Sequence, residues 1–98
     1  MKYKKTLRYS QCFKKVEEEL TWDIFWKYLN ENMEFWFYYG EALIDIAFHY
    51  ESQKKIYELN ISNGENARCY TFDTVEDLVY SKVFDDKSLY DIWDDLEN

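Results

Sequence analysis

The spacing of apolar residues changes within the segment EFWFYYGEALIDIAFHYES, residues 34–52, and this change decides the fold. Before it the apolar residues recur at helical spacing, whereas Ile44, Ile46 and Phe48 occupy every second position. Alternation with a period of two predicts β-strands. Gly40 lies between the two alternating runs, so the segment predicts two strands that are joined by a turn.

Two further strands are predicted downstream. The segment KKIYELNIS, residues 54–62, again alternates apolar with polar residues, and NARCYTFD, residues 66–73, follows it. Between them the dipeptide Asn63-Gly64 is expected to supply the positive φ angles of a tight hairpin turn. Because all the connections between consecutive strands are short, the four strands should form an antiparallel meander.

Two helices are predicted before the sheet. Ser10 can cap a short helix in which Phe13, Val16 and Leu20 recur at helical spacing, and Thr21 can cap a second one. One apolar face of the second helix comprises Trp22, Phe25, Trp26, Leu29 and Met33.

Two more helices are predicted after the sheet. Asp73 and Glu76 have capping-box spacing before the first, and Asp86 or Ser88 can cap the second. The expected fold is therefore α+β, with the order α-α-β-β-β-β-α-α and the helices packed on the sheet. The apolar stripes of these two helices are Val75, Leu78, Val79 and Val83, and Leu89, Ile92, Trp93 and Leu96. The predicted core between helices and sheet comprises Trp26, Ile44, Ile46, Phe48, Leu59, Leu78 and Trp93.

Residues 1–98 are expected to form one domain, since 98 residues leave too few for a second core. Aromatic residues make up 21% of the chain, which excludes a disordered protein. No apolar run is long enough to span a membrane, and no secretory signal is recognisable, so a cytoplasmic protein is expected. The sequence allows residues 1–9 to be a flexible basic arm. Cys12 and Cys69 lack CxxC spacing and are expected to be reduced packing residues.

Charge is concentrated near the C-terminus. The chain has a net charge of -8, and its last 26 residues contain nine acidic and only two basic side chains. Such a surface repels nucleic acid, so direct nucleic-acid binding is not expected. It would suit a basic protein partner, although the same acids are also explained as the solvated face of a helix. The candidate binding acids are Asp85, Asp86, Asp91, Asp94 and Asp95.

Aromatic residues supply a second candidate surface. The strand EFWFYY has rings on both of its faces, and Tyr and Trp are common anchors of protein interfaces. Trp36, Tyr38, Tyr39 and Tyr50 are the candidate contact residues. The alternative is that helices cover both faces of the sheet and bury these rings.

Catalytic chemistry finds little support in the sequence. His49 is the only histidine, and a metal site or a general base would need further groups beside it. The C-terminal acids lack the D-x-D-x-D-G spacing of a calcium loop. We therefore expect no catalytic residues, no metal and no cofactor.

The segments TWDIFWKYLNENMEFWFYYGEALIDI, FDTVEDLV and DDKSLYDIWDDL resemble a loose group of small acidic proteins from Gram-positive bacteria and their phages and mobile elements. The resemblance covers residues 21–98. In that group the last helix usually begins Gly-Lys-Ser-Leu, whereas this chain has Asp86 in place of the Gly. The group has no established activity, so the resemblance implies a mobile-element origin and assigns no site.

The sequence leaves four interpretations open, of which a small-molecule pocket lined by aromatic residues has the least support. The favoured one is a non-catalytic acidic inhibitor, such as a phage anti-defence protein of the anti-CRISPR kind, which mimics DNA and blocks a basic nucleic-acid-binding surface. An immunity protein against a nuclease toxin has the same properties. A small interaction or structural module would use its acidity for solubility alone. The oligomeric state is not decided by the sequence.

Overall fold

The computed structural model describes residues 5–11 and 14–98. Its elements begin with a two-stranded hairpin, continue through one helix and a four-stranded sheet, and end in two short helices and a 3-10 turn. The strands are β1 (Thr6–Gln11), β2 (Lys14–Glu19), β3 (Phe35–Tyr39), β4 (Ala42–Glu51), β5 (Lys54–Asn63) and β6 (Asn66–Phe72). The helices are α1 (Trp22–Asn30), α2 (Val75–Tyr80) and α3 (Leu89–Ile92), and the turn is Trp93–Asp95.

The main sheet is an antiparallel meander in the order β3-β4-β5-β6, which confirms the predicted strands and their connections. Its register aligns Ile44 with Ile61 and Ile46 with Leu59, so alternate residues of neighbouring strands share one face. These four side chains are buried, and we call this side of the sheet the inner face. The opposite side, which includes Trp36 and Tyr38, is the outer face.

The helices pack on the inner face. Thr21 caps α1 by accepting a hydrogen bond from the Ile24 amide, as predicted, and the helix buries Phe25 and Leu29. All four predicted stripe residues of the last helical segment are also buried. The predicted core is largely confirmed, except that Trp26 and Phe48 lie at its margin and are only partly buried.

The predicted first helix is wrong. The backbone from Lys14 to Glu19 forms β2, which pairs with β1 in an antiparallel register that aligns Arg8 with Glu17. Helical spacing of three apolar residues did not reveal this, because a strand forms by backbone pairing with another segment of the chain. Phe13 lies outside the described residues. Residues 1–4 of the predicted basic arm also lie outside them, and the arm stays a prediction.

The helix caps after the sheet differ in part from the prediction. Thr74, and not Asp73, caps α2 by accepting a hydrogen bond from the amide of Asp77. Ser88 caps α3 as predicted, and it forms a reciprocal capping box with Asp91. Thr74 and Asp73 can each accept the capping hydrogen bond through a side-chain oxygen, so the sequence does not distinguish between neighbouring caps.

Three tight turns share one backbone pattern. Gly40, Gly64 and Asp85 each occupy the first central position of a two-residue turn and have φ angles near +60°. A positive φ at this position alone is the pattern of a type II′ turn, which favours glycine. Asn63 was expected to share the positive φ of Gly64, but it belongs to β5. Asp85 is therefore a non-glycine residue at a position where the other two turns have glycine.

We expect Trp93→Ala to lower the free energy of unfolding by about 3–5 kcal/mol, because it removes a large buried ring from the core. Trp93 contacts Phe25 and Phe37 with ring centroids 4.9 and 5.6 Å apart. Denaturant unfolding measures the change, and Tyr50→Ala, at an exposed ring, is the control with an expected change below about 1 kcal/mol. Equal stability of the two variants would show that the last helix does not depend on this packing.

We expect Asp85→Gly to raise the free energy of unfolding by about 0.5 kcal/mol, because glycine adopts a positive φ without a steric penalty. Asp86→Gly is the matched control. Asp86 carries the same charge but has no positive φ, so glycine there should only increase the freedom of the unfolded chain and lower stability. Thermal unfolding of both variants decides the matter, and a loss of stability in both would contradict strain at Asp85.

Candidate protein-binding surfaces

The outer face exposes two large aromatic rings on β3. Trp36 is 49% exposed and Tyr38 is 46% exposed. Their ring centroids are 5.6 Å apart in an edge-to-face arrangement, which aromatic pairs prefer. Together with Leu43 and Asp45 of β4 they line a shallow hollow of about 290 Å³. The outer face therefore offers an apolar contact patch with a carboxylate at its margin.

A backbone bridge between Tyr38 and Glu97 lies at the edge of this patch. The Tyr38 amide donates to the Glu97 carbonyl over 2.6 Å, and the Glu97 amide donates back to the Tyr38 carbonyl over 3.0 Å. This bridge pairs part of the edge of β3 with the backbone of Glu97. It also holds the Glu97 residue beside the edge that carries the two exposed rings.

His49 lies elsewhere on the outer face, between two carboxylates. Its Nδ1 is 2.7 Å from Glu58 Oε2, and its Nε2 is 3.1 Å from Glu51 Oε1. Both ring nitrogens can donate at once only in the protonated imidazolium. The hydrogen bonds to Glu58 and then to Glu51 raise the pKa of His49. These contacts favour the protonated form of the ring, and the hydrogen bond to Glu58 links β4 to β5.

The predicted acidic residues do not form one surface. Asp85 and Asp86 form the turn that borders an open cleft of about 460 Å³, and Tyr39 lies on the same cleft. Arg68 and Lys87 also line it, so the cleft has charges of both signs. Of the predicted aromatic residues, Tyr39 thus joins these acids, whereas Trp36 and Tyr38 do not.

Asp91 stabilises the N-terminus of α3. Its carboxylate accepts hydrogen bonds from the Ser88 amide over 2.9 Å and from the Ser88 hydroxyl over 3.0 Å. These bonds, with smaller contributions from Lys82 and Lys87, lower the pKa of Asp91. The carboxylate is exposed but is already engaged at the N-terminus of α3.

Asp94 and Asp95 lie near a buried cation. Lys5 is 3% exposed, and its ammonium lies 4.5 Å from the centre of the Trp93 ring. Burial lowers the pKa of Lys5, and the charges of Asp94 and Asp95 oppose that shift. These two acids therefore help to keep a desolvated ammonium protonated.

Tyr50 is separate from the other predicted residues. It is 57% exposed at the end of β4, where its ring packs edge to face with Phe48. The predicted site residues thus lie at four places: the outer patch, the cleft, the α3 cap with the neighbouring buried lysine, and the far end of β4.

The sequence pattern did not reveal a set of four aromatic rings that come together on the helices. Trp22 and Trp26 of α1, Tyr80 of α2 and Tyr90 of α3 contact one another in a closed ring, which we call the aromatic quartet. The available signal was that Tyr80 and Tyr90 fall outside the apolar stripes of their helices. A large ring off the stripe has no place in the core and is expected at the surface.

Among residues 5–11 and 14–98, no group of three or more His, Cys, Asp or Glu side chains is placed to hold a metal ion. Cys69 was predicted to pack in the core, but it lies exposed on β6, because its position alternates onto the outer face. Cys12 lies outside the described residues. No helix in the described part of the chain has the length and apolar character needed to cross a membrane.

Comparison with protein-family models, with curated proteins and with solved structures gives no significant match to this chain. The resemblance to small acidic Gram-positive proteins therefore stays a prediction.

We expect His49 to make stability depend on pH. Because the folded pKa is raised above the ordinary value of 6.5, the contribution is complete below that pH and is lost as the pH rises through the folded pKa. His49→Gln removes the titrating group. The difference in the free energy of unfolding between wild type and variant should therefore be largest below about pH 6.5 and shrink as the pH rises above it. A difference that stays constant would show that the imidazolium is not stabilised by its carboxylates.

Proposed function

We propose that this chain is a non-catalytic, acidic protein-binding inhibitor that covers the basic nucleic-acid-binding surface of another protein. The observation that carries the proposal is the exposed Trp36–Tyr38 pair on a sheet face that the helices leave open. Exposed aromatic rings at the centre of a patch are the usual anchors of an interface.

The charges around this patch support a basic partner. Carboxylates on the outer face and its margins outnumber cations among the described residues. They are Glu34, Asp45, Glu51, Glu58 and Asp73, against His49 and Lys54. Glu58 and Glu51 contact His49, and Asp73 contacts Lys54 over 3.2 Å, so Glu34 and Asp45 carry most of the charge left for a partner. Negative potential beside an aromatic centre speeds association with a basic surface and selects against acidic ones.

The proposal includes two biological settings. An anti-defence protein of a phage and an immunity protein against a nuclease toxin would both cover a groove that binds phosphates. Both would use carboxylates where the nucleic acid places its phosphate charges. We favour the anti-defence setting, and the identity of the captured partner distinguishes the two.

Affinity capture from a bacterial host lysate tests the proposal. We expect the immobilised protein to retain a Lys- and Arg-rich nucleic-acid-binding protein at low salt and to release it toward about 0.5 M salt, where screening shortens charge interactions to a few ångströms. The purified partner should then lose nucleic-acid binding when this chain is added. Replacing Trp36 and Tyr38 together by Ser should weaken the complex at least about tenfold, because two anchor rings are removed.

Tyr50→Ser is the matched control, since Tyr50 is an equally exposed ring at the far end of β4. Its complex should keep the affinity of the wild type. An acidic partner, capture that does not respond to salt, or equal affinity of the Trp36/Tyr38 variant would contradict the proposal.

A further inference from the structure

The aromatic quartet brings together rings from three helices. Trp22 is 5.1 Å from Tyr90 and 6.5 Å from Trp26, measured between ring centroids. Tyr80 closes the set at 6.4 Å from Trp26 and 5.5 Å from Tyr90. Each ring thus contacts two others, and the four rings form one continuous aromatic surface.

This surface is open to solvent, although its rings contact one another. Tyr80 and Tyr90 are each 52% exposed, and Trp22 and Trp26 are only partly buried. Leu78 and Leu89 are fully buried and fasten α2 and α3 to the sheet, so Tyr80 and Tyr90 lie outside that packing. Trp22 and Trp26 also pack against the margin of the core.

Two carboxylates, Glu76 and Asp23, adjoin quartet residues along their helices, and one lysine, Lys82, follows Tyr80 and acts on the charge of Asp91. Glu76 lies one helical turn before Tyr80 on the exposed side of α2, and Asp23 follows Trp22 on α1. Both carboxylates are exposed. The nearest basic residue on α1, Lys27, lies over the ring of Tyr28, 5.5 Å from its centre, and that ring is outside the quartet. Aromatic faces beside carboxylates are the chemistry that attracts Arg and Lys side chains.

The protein itself uses this chemistry next to the quartet. Lys5 places its ammonium 4.5 Å from the ring centre of Trp93, within the charge field of Asp94 and Asp95. Trp93 in turn contacts Trp22 edge to face at 5.2 Å. The buried lysine and the exposed quartet are thus neighbouring parts of one aromatic cluster.

We propose that the aromatic quartet is a second binding surface, separate from the outer patch, which receives the Arg side chains of a basic segment of a partner protein. The guanidinium plane stacks on the exposed ring faces while Glu76 and Asp23 neutralise its charge. Arg is favoured over Lys, because its planar and weakly hydrated cation stacks on aromatic rings. This inference does not require the outer patch to bind the same partner, or any partner.

A nuclear magnetic resonance titration with a hexa-arginine peptide tests the inference. The protein has four tryptophans, so its indole N–H signals report separately on Trp22 and Trp26 in the quartet and on Trp36 of the outer patch. We expect the signals of Trp22 and Trp26 to shift with the arginine peptide, with a much smaller shift for Trp36. A hexa-citrulline peptide, which keeps the shape of arginine without its charge, should bind at least about fivefold more weakly.

Variants of the exposed rings separate stacking from general attraction to acids. Replacing Tyr80 and Tyr90 together by Leu keeps apolar contact but removes two ring faces, and should weaken arginine-peptide binding about fivefold or more. Tyr50→Leu is the control and should bind as the wild type does. Should the double variant unfold, the wild-type titrations with the two peptides still decide the matter.

Three results would overturn the inference. The first is equal binding of the arginine and citrulline peptides, which would show that the cation is not recognised. The second is a folded Tyr80/Tyr90 variant with unchanged affinity, and the third is shifts that are largest at Trp36, since either places the peptide away from the quartet. Failure of the outer-patch variants to affect capture from lysate leaves these measurements unchanged, so the two proposals fail separately.

Discussion

Packing around Trp93 connects parts of the chain that are far apart in sequence. Its ring contacts Phe25 of α1 and Phe37 of β3, and the ammonium of Lys5 lies over it. The helical segment that carries Trp93 is only a few residues long and would be unstable by itself in water. Its position therefore depends on this packing. The bridge between Glu97 and Tyr38 follows directly after it, so the edge that presents the outer patch depends on the same contact.

Much of the fold follows from periodicity in single segments. The alternation in β4 and β5, the stripe that includes Leu89 and Trp93, and the cap at Thr21 are all readable because each depends on neighbours in sequence. The hairpin of β1 and β2 is not, since it depends on pairing between two segments. The candidate site was harder to predict for a related reason. The alternation in β3 places aromatic rings on both faces of the strand, and it does not indicate which face the helices cover.

The acidic C-terminal region shows why a charge count does not define a site. Asp91 accepts hydrogen bonds at a helix N-terminus, Asp85 lies in a strained turn, and Asp95 acts on a buried lysine. These roles depend on different positions in the fold. In the sequence, all three residues are simply aspartates in the same acidic segment. The carboxylates that border exposed rings include Asp45 on the outer face and Glu76 on α2. Asp45 comes from a part of the chain without such a local excess, whereas Glu76 is one of the nine acids of the last 26 residues and lies away from the acidic end of the chain in α2.

Exposed aromatic rings and net negative charge have a physical connection in this chain. Trp36 and Tyr38 on one side, and Tyr80 and Tyr90 on the other, leave apolar surface in contact with water on two faces of a 98-residue domain. Such patches promote self-association unless something opposes it. A net charge of -8 makes copies of the chain repel one another, while it attracts a basic partner. The same charge thus opposes self-association through these aromatic surfaces, and it would favour the basic partner proposed above.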